Sequence, residues 1–490
     1  MTYGNTTIQN NDPITNIVVI GGGSIGWSAS VGLARGLQGQ NCRISVIDLP
    51  TNEPALISAG PHIFDYHKNL GIQEKPLLQS GHGKLTLSQG FKGFDAVHEE
   101  IFNAYENSLP EFCSIELHQV LNWLNIDDYT PYSLASSASK AKRLALPKSG
   151  ADPIQANFTC GMNINNAVYA KFMQGAAGQL GVKRYTGAIS NITTHASNGF
   201  IDELTLTDGT VFKPDLVIDN SGYESLIMTN TLKVEYTHSP LNSVINRQVS
   251  SQKNSNRNAL PYARHNIHEL GWIESVVMNN LETTTLRYDF TKVNDHTAKQ
   301  VLCDITGQGE QQIHNTPSGQ LTSFFYKNCV AIGDAAGFVG SPSVENLVMS
   351  QRMISKLLDL FPNKACLEAN QNEFNRRVAK DFEQAFDYLH MHYFWAAKTH
   401  KQVSWLQTLP KLNSRLQQSI DLFKSSGRVA YDLNPLIPRQ RWINLLQRCF
   451  KEESTHDPLL TTFVPEKAYI FLRKIEHKVQ MLTDSFRAYS

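Results

Sequence analysis

The chain has 490 residues, with 44 Lys plus Arg balanced by 44 Asp plus Glu. That length exceeds one ordinary core, and the balance offers no charge excess for nucleic acid or an anionic membrane. Seven cysteines, at 42, 113, 160, 303, 329, 366 and 449, are scattered without a CxxC pair, which excludes a disulfide framework or a thiolate metal site and fits a reducing cytoplasm. The opening MTYGNTTIQNNDPITN has no basic or apolar leader region, and no apolar run approaches membrane-spanning length, so the expectation is a short lead followed by two or three packed subdomains of an enzyme-sized protein.

Ile17, Val18, Val19 and Ile20 make a β-branched run, and Gly21, Gly23 and Gly26 follow in GxGxxG spacing before a helical segment, 27–37. Strand, glycines and helix in that order predict a dinucleotide cradle. The first glycine permits a tight turn, the second admits a pyrophosphate, and the third lets helix pack on strand, with Ser24 and Ile25 at the helix N-terminus facing the phosphates. A second β-branched run, 44–47, ends at Asp48, 22 residues after Gly26, where a carboxylate can accept hydrogen bonds from ribose hydroxyls.

Further along, 49–60 carries Pro50, Pro54 and Gly60 and reads as loop, 62–70 as helix, and Ser80-Gly81-His82-Gly83-Lys84 as a glycine-rich entry to a strand at 85–87. Read alone, Lys84 is a solvated surface charge. Residues 96–135 mix helical and loop signals, and the basic cluster at 140–148 reads as a solvated face. Residues 165–180 have helical periodicity closed by Gly181, and strands follow at 182–185, 189–193, 200–207 and 211–212, with Asp208-Gly209 as a hairpin turn. The run 215–222 reads as a buried strand returning the chain to the nucleotide domain. Between 230 and 328, strand-like segments at 275–278, 283–288 and 321–325 alternate with polar loops, predicting an antiparallel sheet beside a substrate pocket. Residues 329–332 then run into Gly333-Asp334-Ala335-Ala336-Gly337-Phe338, read as a third strand turning into a helix whose N-terminus favours an anion. From about 350 the pattern is mainly helical, with Tyr393, Trp395 and Trp405 in an aromatic-rich hairpin.

These pieces resemble an FAD-binding domain of the glutathione-reductase or hydroxylase type, and within it the chain resembles the flavin-dependent halogenases of the tryptophan halogenase family. The resemblance rests on Gly21 to Trp27, Leu70-Gly71-Ile72 followed by Gly81 to Lys84, Asp215-Leu216 to Gly222, Gly271-Trp272, Gly333 to Phe338, and His392-Tyr393 with Trp405 downstream. It implies an α/β fold: a Rossmann-like FAD-binding domain (15–95, 206–230 and 329–360), a helical and strand insert (96–205), a substrate-side antiparallel sheet (231–328) and a helical C-terminal substrate region (361–490). By resemblance the cofactor is FAD, arriving reduced from a separate flavin reductase, and halide, chloride or bromide, is oxidised to hypohalous acid. That oxidant crosses an internal passage to a lysine beside an aromatic substrate, a tryptophan, another indole or a peptide. The resemblance assigns FAD to Gly21, Gly23, Ser24, Ile25, Gly26, Asp48, Gly333, Asp334 and Gly337. It assigns oxidant delivery to Lys84, assistance to Glu345, and substrate contacts to Trp272, His392, Tyr393, Trp395 and Trp405.

Three departures accompany the match. The WxWxIP signature of the family is Trp272-Ile273-Glu274-Ser275-Val276-Val277 here, and a buried Glu274 requires a partner. The glutamate-assisted, halide-holding segment Pro-Leu-Glu-Ser-Thr-Gly is replaced within 340–347. Without gaps, Ser343 takes the glutamate position and Glu345-Asn346 the halide position; with a two-residue insertion, Glu345 is the assisting glutamate. The family's Gly-Glu-x-Thr/Ser-x-Pro loop is eroded around 56–60, with Leu56 in place of the acid. Two alternatives to halogenation therefore stand: a halide-independent flavin monooxygenase or oxidase, or a non-catalytic FAD-binding relative.

Overall fold

The computed structural model describes residues 12–50, 53–94, 99–144, 152–255, 257–307, 309–430 and 435–489. Residues 1–11 of the N-terminal lead, 96–98 of the mixed stretch and 145–148 of the basic cluster fall outside those residues.

Five parallel strands make the sheet on which the nucleotide motif sits, in the order Lys183–Thr186, Arg43–Asp48, Asn16–Ile20, Leu216–Asp219 and Cys329–Ala331, with Phe325–Tyr326 added antiparallel at one edge. Ile17, Val18, Val19 and Ile20 are all buried, as a parallel strand covered on both faces requires. The helix Gly23–Gly36 packs between the helices Asn166–Gln179 and Asn346–Asp359. Asn165 opens the helix Asn166–Gln179 by accepting a hydrogen bond from the Val168 amide.

Beside this unit lies a seven-stranded sheet, Glu310–Asn315, Arg247–Asn254, Leu281–Tyr288, Gly271–Met278, Tyr262–His268, Ser88–Lys92 and Glu100–Ala104, antiparallel except where Tyr262–His268 meets Ser88–Lys92. A three-stranded antiparallel sheet, Leu56–Ala59, Gly161–Asn165 and Gly83–Thr86, bridges the two. The C-terminal third is helical, built on the 32-residue helix Glu368–Thr399. At its end, Arg487–Ala488 pairs with Arg143–Leu144, and the Tyr489 hydroxyl donates to the Leu85 carbonyl at 2.9 Å.

The structure corrects several sequence expectations. The turn at 333–338 does not enter a helix directly: a 3-10 turn, Gly333–Ala335, and a short strand, Gly337–Phe338, precede the helix that starts at Asn346. The stretch 321–325 is split between the strands Gly319–Leu321 and Phe325–Tyr326. Within 230–328 a helix, Asp295–Thr306, covers one face of the large sheet through Ala298 and Leu302; only two of its apolar positions are fully buried, a stripe too sparse to register as a period. The strand at 85–87 begins earlier, at Gly83, so Lys84 lies within it.

Candidate active site

The cradle forms where the strand Asn16–Ile20 ends. Gly21 has φ +89°, and a Cβ there would lie 2.1 Å from the Asn220 carbonyl; one on Gly26 would lie 1.9 Å from the Gly21 carbonyl. Only glycine fits either place. Asn220 ties the turns together by donating from Nδ2 to the Gly22 carbonyl at 3.2 Å. Asp219, at the end of the adjacent strand, accepts from the Ser225 hydroxyl and the Ile227 and Met228 amides, which fixes the turn behind the cradle.

A cavity of about 480 Å³ opens over these turns, lined by Gly21, Ser24, Ile25, Asn220, Asp334 and the segment that holds Glu345. Glycine turns, a helix N-terminus that faces the chamber through Ser24 and Ile25, a chamber of this size and apolar walls from Leu49, Ile57 and Leu347 fit an FAD. The Ser24 and Ile25 amides would hold its phosphates. Gly23, Gly26, Gly333 and Gly337 shape the surrounding backbone and do not line the cavity among the described residues. The Asp48 carboxylate accepts from Arg184 Nε at 2.7 Å.

Four carboxyl groups, Glu53, Glu274, Asp334 and Glu345, face this cavity together with one guanidinium, Arg287. Burial alone would raise Glu274, but Arg287 Nη1, at 2.8 Å, overcomes it and holds the carboxyl below its usual range. Burial pushes Glu345 up to about 7; its Oε2 accepts from the Gly60 amide at 3.3 Å. Asp334 is likewise raised by burial, although Asn346 Nδ2 donates to it. Glu345 sits at the position preceding the helix Asn346–Asp359. Ser343 lines the same cavity while its hydroxyl donates to the Ala385 carbonyl at 2.7 Å.

Lys84 lies on the bridging strand opposite Asn163, half-buried, with Nζ 5.7 Å from the Tyr489 ring centroid. Desolvation lowers its pKa, and it lines neither of the two main cavities among the described residues. Of the aromatic residues, Trp395 packs against Phe94 with ring centroids 4.5 Å apart and planes tilted by 47°, and lines a second cavity of about 390 Å³ with Phe94, Ile101, Tyr129 and Asn444. Trp272, His392 and Tyr393 are buried in the aromatic core. Trp405 Nε1 donates to the His268 carbonyl at 3.0 Å.

Sequence reasoning missed Glu53, Arg287 and Arg441. Arg441 is buried between the Tyr105 and Tyr388 rings, 5.1 Å from each centroid, and Nη2 donates to Gln89 Oε1 at 2.5 Å. Gln89 Nε2 in turn donates to the Pro342 carbonyl at 3.0 Å, so a polar chain runs from the C-terminal helices to the segment before Glu345. No spacing rule flags such a contact; the only signal was a basic residue inside an apolar helix pattern.

The profile of the tryptophan halogenase family matches residues 16–464. The tryptophan 7-halogenase RebH of Lentzea aerocolonigenes is 21% identical over 449 residues, covering 84% of this chain and 82% of that protein. The 7-chloro-L-tryptophan 6-halogenase KtzR of Kutzneria sp. (strain 744) is 20% identical over 425 residues, 80% of this chain and 81% of its own. In solved structures the fold recurs in BrvH, a flavin-dependent halogenase from Brevundimonas sp. BAL3, with a TM-score of 0.88 at 19% identity over 97% of this chain and 98% of that one. Xcc4156, a flavin-dependent halogenase from Xanthomonas campestris, gives 0.87 at 21% identity over 97% of each chain. The chain therefore belongs to the tryptophan halogenase family, FAD-dependent enzymes that use reduced flavin, oxygen and halide to modify an aromatic substrate.

Proposed function

We propose that this chain halogenates an indole, either free or as a tryptophan side chain in a peptide, using reduced FAD delivered by a separate flavin reductase in the cytoplasm. The observation that carries this reading is the single cavity that joins the glycine cradle to the Glu345 segment. The bound cofactor supplies the activation of oxygen. The chain's own residues bind its phosphates at Ser24 and Ile25, exclude water with Ile25, Leu49, Ile57 and Leu347, and hold a proton on Glu345. The aromatic substrate occupies the second cavity, against Phe94, Tyr129 and Trp395. Lys84, which the family resemblance makes the carrier of the oxidised halogen, lies outside the lining of both cavities, against Tyr489. This role therefore requires its Nζ to reach the substrate from the bridging strand, there hydrogen-bonding hypohalous acid or, as the neutral amine that desolvation favours, carrying the halogen as a haloamine. The single dinucleotide fingerprint supports an external reductase, and seven unpaired cysteines support a reducing compartment.

A second reading is favoured by the Glu345 carboxyl, which faces the flavin-side cavity beside the Gly60 amide. Ionised, it repels a halide there, and the chain then oxygenates its aromatic substrate without halide. The test supplies reductase, FAD, oxygen and an indole and peptide panel, with bromide, with chloride, or with neither. Halogenated product that falls at least ~100-fold in Lys84→Ala is expected. Undiminished product in that variant removes Lys84 from the reaction, and equal yields of hydroxylated product without halide establish the second reading.

A further inference from the structure

The Ser24 amide, at the N-terminus of the helix Gly23–Gly36, donates to both carboxylate oxygens of Glu53, at 3.3 and 3.2 Å, and the Ser24 hydroxyl donates to Oε1 at 3.1 Å. These are the donors that the cradle offers to a phosphate. Glu53 lines the cavity with Ser24, Ile25 and Asp334, so the chain's own carboxylate stands where a dinucleotide's anion would bind. We propose that Glu53 is a resident competitor for the pyrophosphate, holding the cradle until a flavin dinucleotide displaces it and thereby setting the rate of cofactor exchange.

The inference rests on the FAD reading above and adds the control of that site. One amide and one hydroxyl cannot serve two anions at full strength, and two like charges brought together in a water-poor cavity repel. Entry of a phosphate must therefore drive Glu53 out or protonate it. Burial pushes this carboxyl up to about 7, against the lowering effect of the Ser24 bonds, and Asp334 adds repulsion. Around the same cavity, Tyr223, Glu274 with its partner Arg287, His314 and Glu345 complete the titratable set. Among the described residues Glu53 bonds only to Ser24 and Ile25 and makes no ion pair with the cationic members, so a proton is the means at hand to neutralise it. An enzyme fed by a separate reductase has to admit reduced FAD and release the oxidised form in every cycle. A competitor that regains the cradle as the cofactor leaves makes that exchange fast.

The test measures equilibrium binding of FAD, by flavin fluorescence, and of ADP, by calorimetry, to the full chain and to Glu53→Ala and Glu53→Gln at pH 6 and pH 8. ADP carries the pyrophosphate without the ring and so isolates the cradle from Glu345. At pH 8 both variants are expected to bind FAD and ADP about tenfold more tightly than the parent, with slower FAD release; at pH 6 the gain shrinks because most of the parent's Glu53 is already protonated before the ligand arrives. The Gln variant keeps the side chain's size, so a gain shared by both variants is not a packing effect. Affinity equal to or below that of the parent in both variants at pH 8, with FAD still bound, overturns the proposal and leaves the cofactor reading intact. Absence of FAD and ADP binding in all three proteins overturns both.

Discussion

Glu274 stands in the family's aromatic signature, and its carboxyl is held by the Arg287 guanidinium, on the strand beside it, at 2.8 Å. Both side chains are largely buried. A buried pair of this kind costs free energy to desolvate and loses more when one member is removed, because the other charge is left uncompensated. Arg287→Met is therefore expected to destabilise the fold by about 3–5 kcal/mol in urea unfolding, whereas the double change with Glu274→Gln should recover a large part of that loss. The sequence showed that Glu274 needed a partner, but not which. The partner is 13 positions away across a β-hairpin, a relation that depends on strand register. Glu53 and Ser24, 29 positions apart, were equally out of reach, since one lies in a loop that carries no period.

At the scale of the element, the legible parts are those in which backbone geometry dictates residue type. The strand–glycine–helix unit at 16–36 could be read because a β-branched run, two turns that admit only glycine and a small-residue helix start each follow from local sterics. Gly26→Ala tests the claim. Its Cβ would fall 1.9 Å from the Gly21 carbonyl, forcing helix and turn apart, and FAD affinity is expected to fall by at least ~100-fold with the secondary structure content unchanged by circular dichroism. The helix Asp295–Thr306 and the polar chain from Arg441 through Gln89 to the Pro342 carbonyl were not legible. The first has too thin an apolar stripe, and the second joins residues 352 positions apart. Lys84 falls between these cases. Its strand was read from 85–87, but its surroundings depend on Tyr489, at the far end of the chain.

Across the whole molecule, ionisable groups buried by folding set opposing pH slopes. Burial pushes Glu53, Glu106 and Glu345 each up to about 7. The folded chain thus keeps protons that the unfolded chain has released, and this contribution is lost as pH rises through 7. His118 and His265 are pushed down to about 4 and His392 to about 3, all chiefly by burial. Here the folded chain refuses protons, and stability is lost as pH falls from about 6.5 toward those values. The carboxyl contribution declines from about pH 4.5 upward, so the two slopes largely offset each other between about 4.5 and 6.5, and between 6.5 and about 7 only the carboxyl loss remains. The melting temperature of the cofactor-free protein is expected to drop by about 2–5 °C between pH 6.5 and 8. Glu106→Gln, which removes an acid bonded to Ser133 and Ala135 away from the cavity, should flatten that alkaline limb in a melting series.

The short ladder formed by Arg487–Ala488 and the Tyr489 bond to Leu85 join residues 404 positions apart in the latter case. During synthesis the bridging strand that bears Lys84 emerges early and waits for its last neighbour until translation has passed Tyr489. Purification handles fused beyond that tyrosine would crowd this neighbourhood, so reagents for studying the enzyme are better attached ahead of the first strand.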